Sequence, residues 1–180
     1  IDRLVTNRQL IPGVATAADR TGRMVTTQEA LRTEERILGA VDEGKGKAEP
    51  IVAAADAPQR LQDAAALPLN PGQLAAATMI LSSADRTVSV QGVAGAGKST
   101  MLQAVARVAE AEGREITGLA FQNKMVADLA EGAGIKAQTI ASFVLANERF
   151  ISERDTPRYE AAREKLAGTM LIVDETSMVS

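Results

Sequence analysis

Three observations in this 180-residue sequence predict an α/β fold with a mainly parallel sheet, preceded by a small N-terminal α+β region. From Asn70 onward, apolar strand-like runs alternate with helical patterns of about ten to fifteen residues, the spacing of β–α–β crossovers. TVSVQ, EITGLA and TMLIV are the strands of this alternation, and strands separated by helices of such length imply a mainly parallel sheet covered on both faces. Finally, a glycine-rich turn, GVAGAG, stands between the first of these runs and a long helical segment.

The elements follow in order. Short β-like runs at Leu10 to Val14 and Arg23 to Thr27 predict a small hairpin. Thr27 then caps a helix that carries Leu31, Ile37, Leu38 and Val41 and ends near Gly44, completing a first region over residues 1–48. Residues 49–69, Ala-rich and interrupted by prolines, read as a linker. Asn70 as N-cap and Pro71 at the first helical position open a helix over GQLAAATMILSSA. After TVSVQG and the glycine turn comes the helix STMLQAVARVAEAEG, then the strand EITGLAF and the helix NKMVADLAEGAG. TIASFVLANERF and YEAAREKLAG are further helices, and TMLIVD is the last strand. Residues 70–180 are thus expected to form one sheet-based domain, incomplete at its C-terminal end. The start at Ile1 and the stop at Ser180 directly after an acidic pair lead us to expect a segment of a longer protein.

Composition narrows the chemistry. With no histidine and no cysteine, the chain has no thiol nucleophile, no disulfide and no imidazole acid/base group, which leaves carboxylates, Lys, hydroxyls, backbone amides and Mg²⁺. A net charge of −3 supplies no global positive field, so any nucleic-acid contact must be local, and 2% aromatic residues argue against binding mainly by base stacking. No run is long and apolar enough for membrane insertion and no basic, then apolar leader opens the chain, so a cytoplasmic location is expected.

Gly92-Val-Ala-Gly95-Ala96-Gly97-Lys98-Ser99 fits G-x-x-x-x-G-K-[ST] in the required context of strand, loop and helix. Glycines let such a loop turn its N–H groups inward, and the following helix N-terminus adds a positive partial charge, so an anion belongs there. Gly92, Gly95, Ala96, Gly97, Lys98, Ser99 and Thr100 are therefore the predicted nucleotide contacts. Lys98 would meet the β- and γ-phosphates of ATP and Ser99 would ligate Mg²⁺. Asp174, at the C-terminal end of the strand TMLIV, is the second predicted metal residue, and Glu175 is placed to polarise an attacking water.

LNPGQ, GVAGAGKST, GLAFQNKMVADLAE, QTIASF and LIVDETSMV together resemble the first, RecA-like motor domain of a superfamily 1 DNA helicase of the RecD-like branch. The closest likeness is to the helicase part of conjugative relaxase-helicases of the MobF family, the TraI and TrwC type, and RMVTTQEALRTEERIL is similar to the region before their motor. The resemblance implies that Gln73 reads the adenine edge and that Gln122, Asn123, Lys124 and Thr139 touch single-stranded DNA. The sequence departs from the family at Phe121-Gln122, where Pro-Thr is usual, and at Met125, where Ala is usual. Phe121 can equally be a core aromatic, and Thr139 equally an N-cap. The implied partners are single-stranded DNA, a second RecA-like domain and a relaxase domain of the same parent chain, and the type IV secretion machinery. An arginine finger and that second domain are needed for fast turnover, so the segment alone is expected to hydrolyse ATP weakly or not at all. Other P-loop enzymes, and a non-enzymatic DNA-binding or secretion-recognition module of the same transfer protein, are the alternative readings.

Overall fold

The computed structural model describes residues 11–12, 25–93, 95–152 and 156–174. The chain divides into two compact units, Ile1–Ala48 with Ala84–Thr87, and Glu49–Ser83 with Val88–Ser180.

In the first unit, β1 (Ile11–Pro12) pairs antiparallel with β2 (Val25–Thr26), the shortest form of the expected hairpin. Helix α1 (Gln28–Glu43) begins where Thr27 Oγ1 accepts from Ala30 N at 3.1 Å. It ends at Gly44, whose N–H reaches the carbonyls of Ala40 and Val41. Its apolar residues are not core: Ile37 and Leu38 are 58% and 68% exposed. The segment 84–87 returns to this unit through Ala48 N to Ala84 O at 2.7 Å and Gly46 N to Asp85 Oδ1 at 2.8 Å.

The second unit stacks helices on a sheet. Its helices are α2 (Ala57–Ala64), α3 (Pro71–Ser82), α4 (Lys98–Ala111), α5 (Asn123–Ala133), α6 (Ile140–Ser152) and α7 (Pro157–Ala167). The sheet has three parallel strands in the order β4 (Ala137–Thr139), β3 (Glu115–Ala120), β5 (Thr169–Val173). This is a P-loop α/β arrangement, as predicted. Helix α4 is the hub: Met101, Ala104, Val105, Ala106, Val108 and Ala109 are all buried, and it contacts α2 and α3 as well as α5 and β3. The run of small alanines lets these helices approach closely, so the core continues from Leu61, Ala77 and Leu81 through α4 to Ile116, Leu129 and Ile172.

Two expectations are corrected. Residues 49–69 are not a bare linker: Val52, Ala57, Leu61 and Leu69 are core, and α2 is tied to α4 by an Arg60–Glu112 ion pair and by Arg107 Nη1 donating to Ala64 O at 2.8 Å. The prolines that suggested interruption stand at the helix boundary instead, with Pro58 in its first turn. TVSVQ is not a strand; Val88 and Val90 are half-buried between exposed neighbours, but among the described residues no hydrogen-bonded ladder forms along 87–93. Alternation supplies facing, and a strand also needs a paired edge. The sheet has helices packed on it, with α4 and α5 on Ile116, Gly118 and Ile172; on the opposite face Leu119 is buried, whereas its neighbours Leu171 and Val173 on β5 are 41% and 42% exposed. No helix among the described residues is long and apolar enough to cross a membrane.

Candidate functional site

The loop before α4 owes its shape to two left-handed residues, Gly95 at φ +75° and Gly97 at φ +71°. A side chain at either would cost roughly 1–2 kcal/mol of backbone strain, which explains two of the three glycines in the motif. Gly92 has no such φ, and a Cβ there would lie 3.5 Å from the Lys98 side chain, an ordinary contact. Ala94 lies outside the described residues. Ala96 N closes the turn onto Val93 O at 3.2 Å.

Gly97 is the N-cap of α4 and no side chain caps that helix end. The first-turn N–H groups, which have no partner within a helix, are therefore directed into the loop. Over the same loop lies the ammonium of Lys98, donating to Gly92 O at 3.1 Å and Val93 O at 3.4 Å. A cation folded onto an uncapped helix N-terminus is a receptor for an anion, and a nucleotide phosphate fits these residues. Ser99 is exposed in the first helical turn, with Gly132 of α5 packed behind it: a Cβ on residue 132 would stand 3.0 Å from Ser99 Cβ and 3.1 Å from its Oγ. Thr100, half-buried, follows.

Gln73 is drawn into this loop. Its Nε2 donates to Ala96 O at 2.9 Å and Gly97 O at 3.3 Å, while Oε1 accepts from Asn70 N at 3.0 Å and Asn70 Oδ1 accepts from Gln73 N at 2.9 Å. The last two bonds form a capping box at the start of α3.

The remaining predicted residues gather at the C-terminal ends of the parallel strands. Asp174 follows β5, its N–H donating to Leu119 O at 3.0 Å, and is half-buried. Gln122, Asn123 and Lys124 follow β3 and are exposed, with Gln122 at the N-cap of α5 in extended backbone. Phe121 beside them is 50% exposed and so is not a core aromatic. Thr139 ends β4 and caps α6, its Oγ1 accepting from Ser142 N at 3.1 Å, which leaves its hydroxyl proton to donate elsewhere. Because the strands are parallel, these ends share one edge of the sheet. Glu175 lies outside the described residues. Among the described residues no cluster of three or more acidic side chains could hold a metal by itself, so Mg²⁺ would depend on Ser99, Asp174 and the phosphates it accompanies.

A family model described as AAA domain matches residues 68–180, more than half of the chain. The chain belongs to the AAA domain family. It is also similar to the multifunctional conjugation protein TraI of Escherichia coli (strain K12), 32% identical over 160 residues covering 87% of this chain and 8% of that protein. With the probable conjugal transfer protein TraA of Sinorhizobium fredii (strain NBRC 101917 / NGR234) it shares 34% identity over 101 residues, 56% of this chain and 8% of that protein. The chain spans about 8% of the length of these curated relatives. The resemblance drawn from the motifs is borne out by these matches. The AAA domain match begins at residue 68, yet the core of its unit reaches further back, to Val52 and the α2 residues Ala57 and Leu61.

Two features of the AAA domain escaped the sequence reading. The contact of Gln73 with the loop joins residues more than twenty positions apart, although the spacing Asn70-x-x-Gln73 does signal a capping box. Gly132 behind Ser99 had only the weak signal of a glycine inside a helical pattern.

Proposed function

We propose that the AAA domain binds ATP with Mg²⁺ at the Gly92–Thr100 loop and hydrolyses it as the first motor domain of a DNA helicase. The parent protein would unwind DNA during conjugative transfer in the cytoplasm. The observation that supports the reading is the loop itself, in which Lys98 lies over an uncapped helix N-terminus bounded by left-handed Gly95 and Gly97. In this reading Lys98 leaves the carbonyls of Gly92 and Val93 for the β- and γ-phosphates, and Gly95 to Thr100 donate their N–H groups to the same oxygens. Ser99 and Asp174 hold Mg²⁺, which would neutralise charge developing on the phosphates, and Glu175 orients the attacking water. Gln122, Asn123, Lys124 and Thr139 offer polar contacts along one sheet edge to a single-stranded DNA backbone, assisted by a second RecA-like domain of the parent chain. A relaxase domain and the type IV secretion machinery complete the proposed set of partners.

The test is calorimetric titration of Mg-ATP into this chain and into Lys98→Ala, followed by turnover with and without single-stranded DNA. Loss of a charge-assisted phosphate contact should weaken binding by roughly 1.5–3 kcal/mol, about ten- to 150-fold. Turnover of the chain alone should be weak. Equal binding by both proteins, or none by the wild type, would refute the motor reading and favour a non-enzymatic recognition module.

A further inference from the structure

The amide nitrogen of Gln73 donates to two successive loop carbonyls, those of Ala96 and Gly97. Its oxygen is engaged by Asn70 N, the N-cap of α3. One side chain therefore joins the start of α3 to the floor of the phosphate loop. We infer that Gln73 is a positioning residue for the phosphate-binding amides, setting affinity for any triphosphate regardless of its base. The inference rests on the nucleotide reading above.

The physical link is peptide planarity. Within one planar trans peptide the C=O and the following N–H point in opposite directions. Holding the carbonyl of Ala96 therefore aims the N–H of Gly97, and holding that of Gly97 aims the N–H of Lys98, both away from α3 and into the loop. These are two of the groups that a phosphate would use, and neither touches a base. Gly97 is required twice over: its φ is +71°, and a Cβ there would lie 2.3 Å from Gln73 Nε2. The close approach of backbone and amide is thus built into the motif's own glycine. For Gln73 to read an adenine edge with its N–H groups, it would have to release the loop first.

Three probes separate the two uses of this amide: Mg-ATP, Mg-GTP and Mg-tripolyphosphate, each titrated into the 180-residue chain, Gln73→Met and Asn70→Ala. Gln73→Met should weaken all three by a common factor of about ten, the loss of two neutral hydrogen bonds, and leave the ATP:GTP ratio unchanged. Asn70→Ala removes the cap oxygen but leaves Gln73 in place, so it should lower the melting temperature while moving the three affinities less than about twofold. A loss confined to ATP, with tripolyphosphate unaffected, would overturn the inference in favour of base reading. Equal losses in both variants would reduce Gln73 to a helix cap and overturn it too. If the wild type binds none of the probes, the nucleotide reading fails by itself. Hydrogen exchange of the ligand-free protein then decides the latch. Gln73→Glu keeps an oxygen that accepts from Asn70 N, loses the donors and turns a carboxylate oxygen toward the two carbonyls, so it should fold and speed exchange at the Gly97 and Lys98 amides; unchanged exchange there would overturn the inference.

Discussion

Replacing Gly132 by alanine tests whether α5 sets the position of the serine assigned to the metal. The added Cβ would lie 3.0 Å from Ser99 Cβ and 3.1 Å from Ser99 Oγ, closer than ordinary carbon contacts by several tenths of an ångström. Ser99 Oγ can rotate away, but Ser99 Cβ is fixed to the first turn of α4, whose underside is locked in the core by Met101 and Val105. Two opposing terms set the outcome. Alanine for glycine in a helix interior is worth up to about 1 kcal/mol, and less here because Gly132 is next to the last residue of α5. Overpacking between two helices costs about 1–3 kcal/mol. The net effect on folding is therefore a modest destabilisation, about 0–2 kcal/mol, read by urea denaturation. The effect on the site should be larger in proportion, because the easiest relief turns the Ser99 hydroxyl out of place. Titrating ATP with and without Mg²⁺ should show the Mg²⁺-dependent part of the affinity reduced several-fold, on the order of 1 kcal/mol, and the metal-free part nearly unchanged. If both parts are unchanged while stability falls, α5 does not govern Ser99. Equal weakening of both would point to the whole loop rather than to the metal ligand.

Leu61→Ala asks whether α2 is core or linker. Leu61 is fully buried, so truncation should cost about 3 kcal/mol and lower the melting temperature by roughly 6–12 °C, whereas an exposed linker residue would move it within about 0.5 kcal/mol. A pH effect should come from the exposed Lys45–Asp42 bridge at 2.7 Å in the other unit, where the hydrogen bond from Lys45, and then its charge, hold the Asp42 carboxyl below its ordinary value. A depressed carboxylate pKa stabilises the fold above the unfolded-state value and ceases to do so as pH falls through the lower, folded value. Melts of wild type and Asp42→Asn should therefore differ slightly near neutrality and converge below about pH 4, with the difference shrinking in high salt.

What was legible in the sequence divides along a physical line. Local chemistry was readable: Thr27 and Asn70 as caps, Pro71 in the first turn of α3, and Gly134 closing α5 in left-handed backbone are all set by residues within one turn of each other. The phosphate loop belongs to the same class, since Gly95, Gly97 and Lys98 act through local backbone conformation. What depended on partners distant in sequence was not readable. AQT became β4 without any apolar alternation because β3 offers it an edge, pairing Gly118 with Ala137 and Ala120 with Thr139. TVSVQ, with the better pattern, has no ladder. Gly118 is small for a similar non-local reason: a Cβ there would come within 2.9 Å of Leu129 and 3.0 Å of Ala137.

The missing ladder before the loop bears on how the site keeps its shape. A strand-loop-helix motif is usually pictured as a loop suspended between two rigid elements, yet among the described residues the upstream segment 87–93 has no strand pairing. Rigidity must then enter from the downstream side and from below. Downstream, α4 buries six residues of its length against α2, α3, α5 and the sheet, so Gly97 and Lys98 start from a fixed helix axis. Below, Gln73 holds the two carbonyls that precede that axis, and its own side-chain oxygen is held by the backbone N–H of Asn70. The helices α2 and α3 thus matter to the loop as much as the sheet does. That gives the buried α2 segment, which lies outside the AAA domain match at residues 68–180, a physical part in the same site: it backs the helix pair on which the loop is mounted.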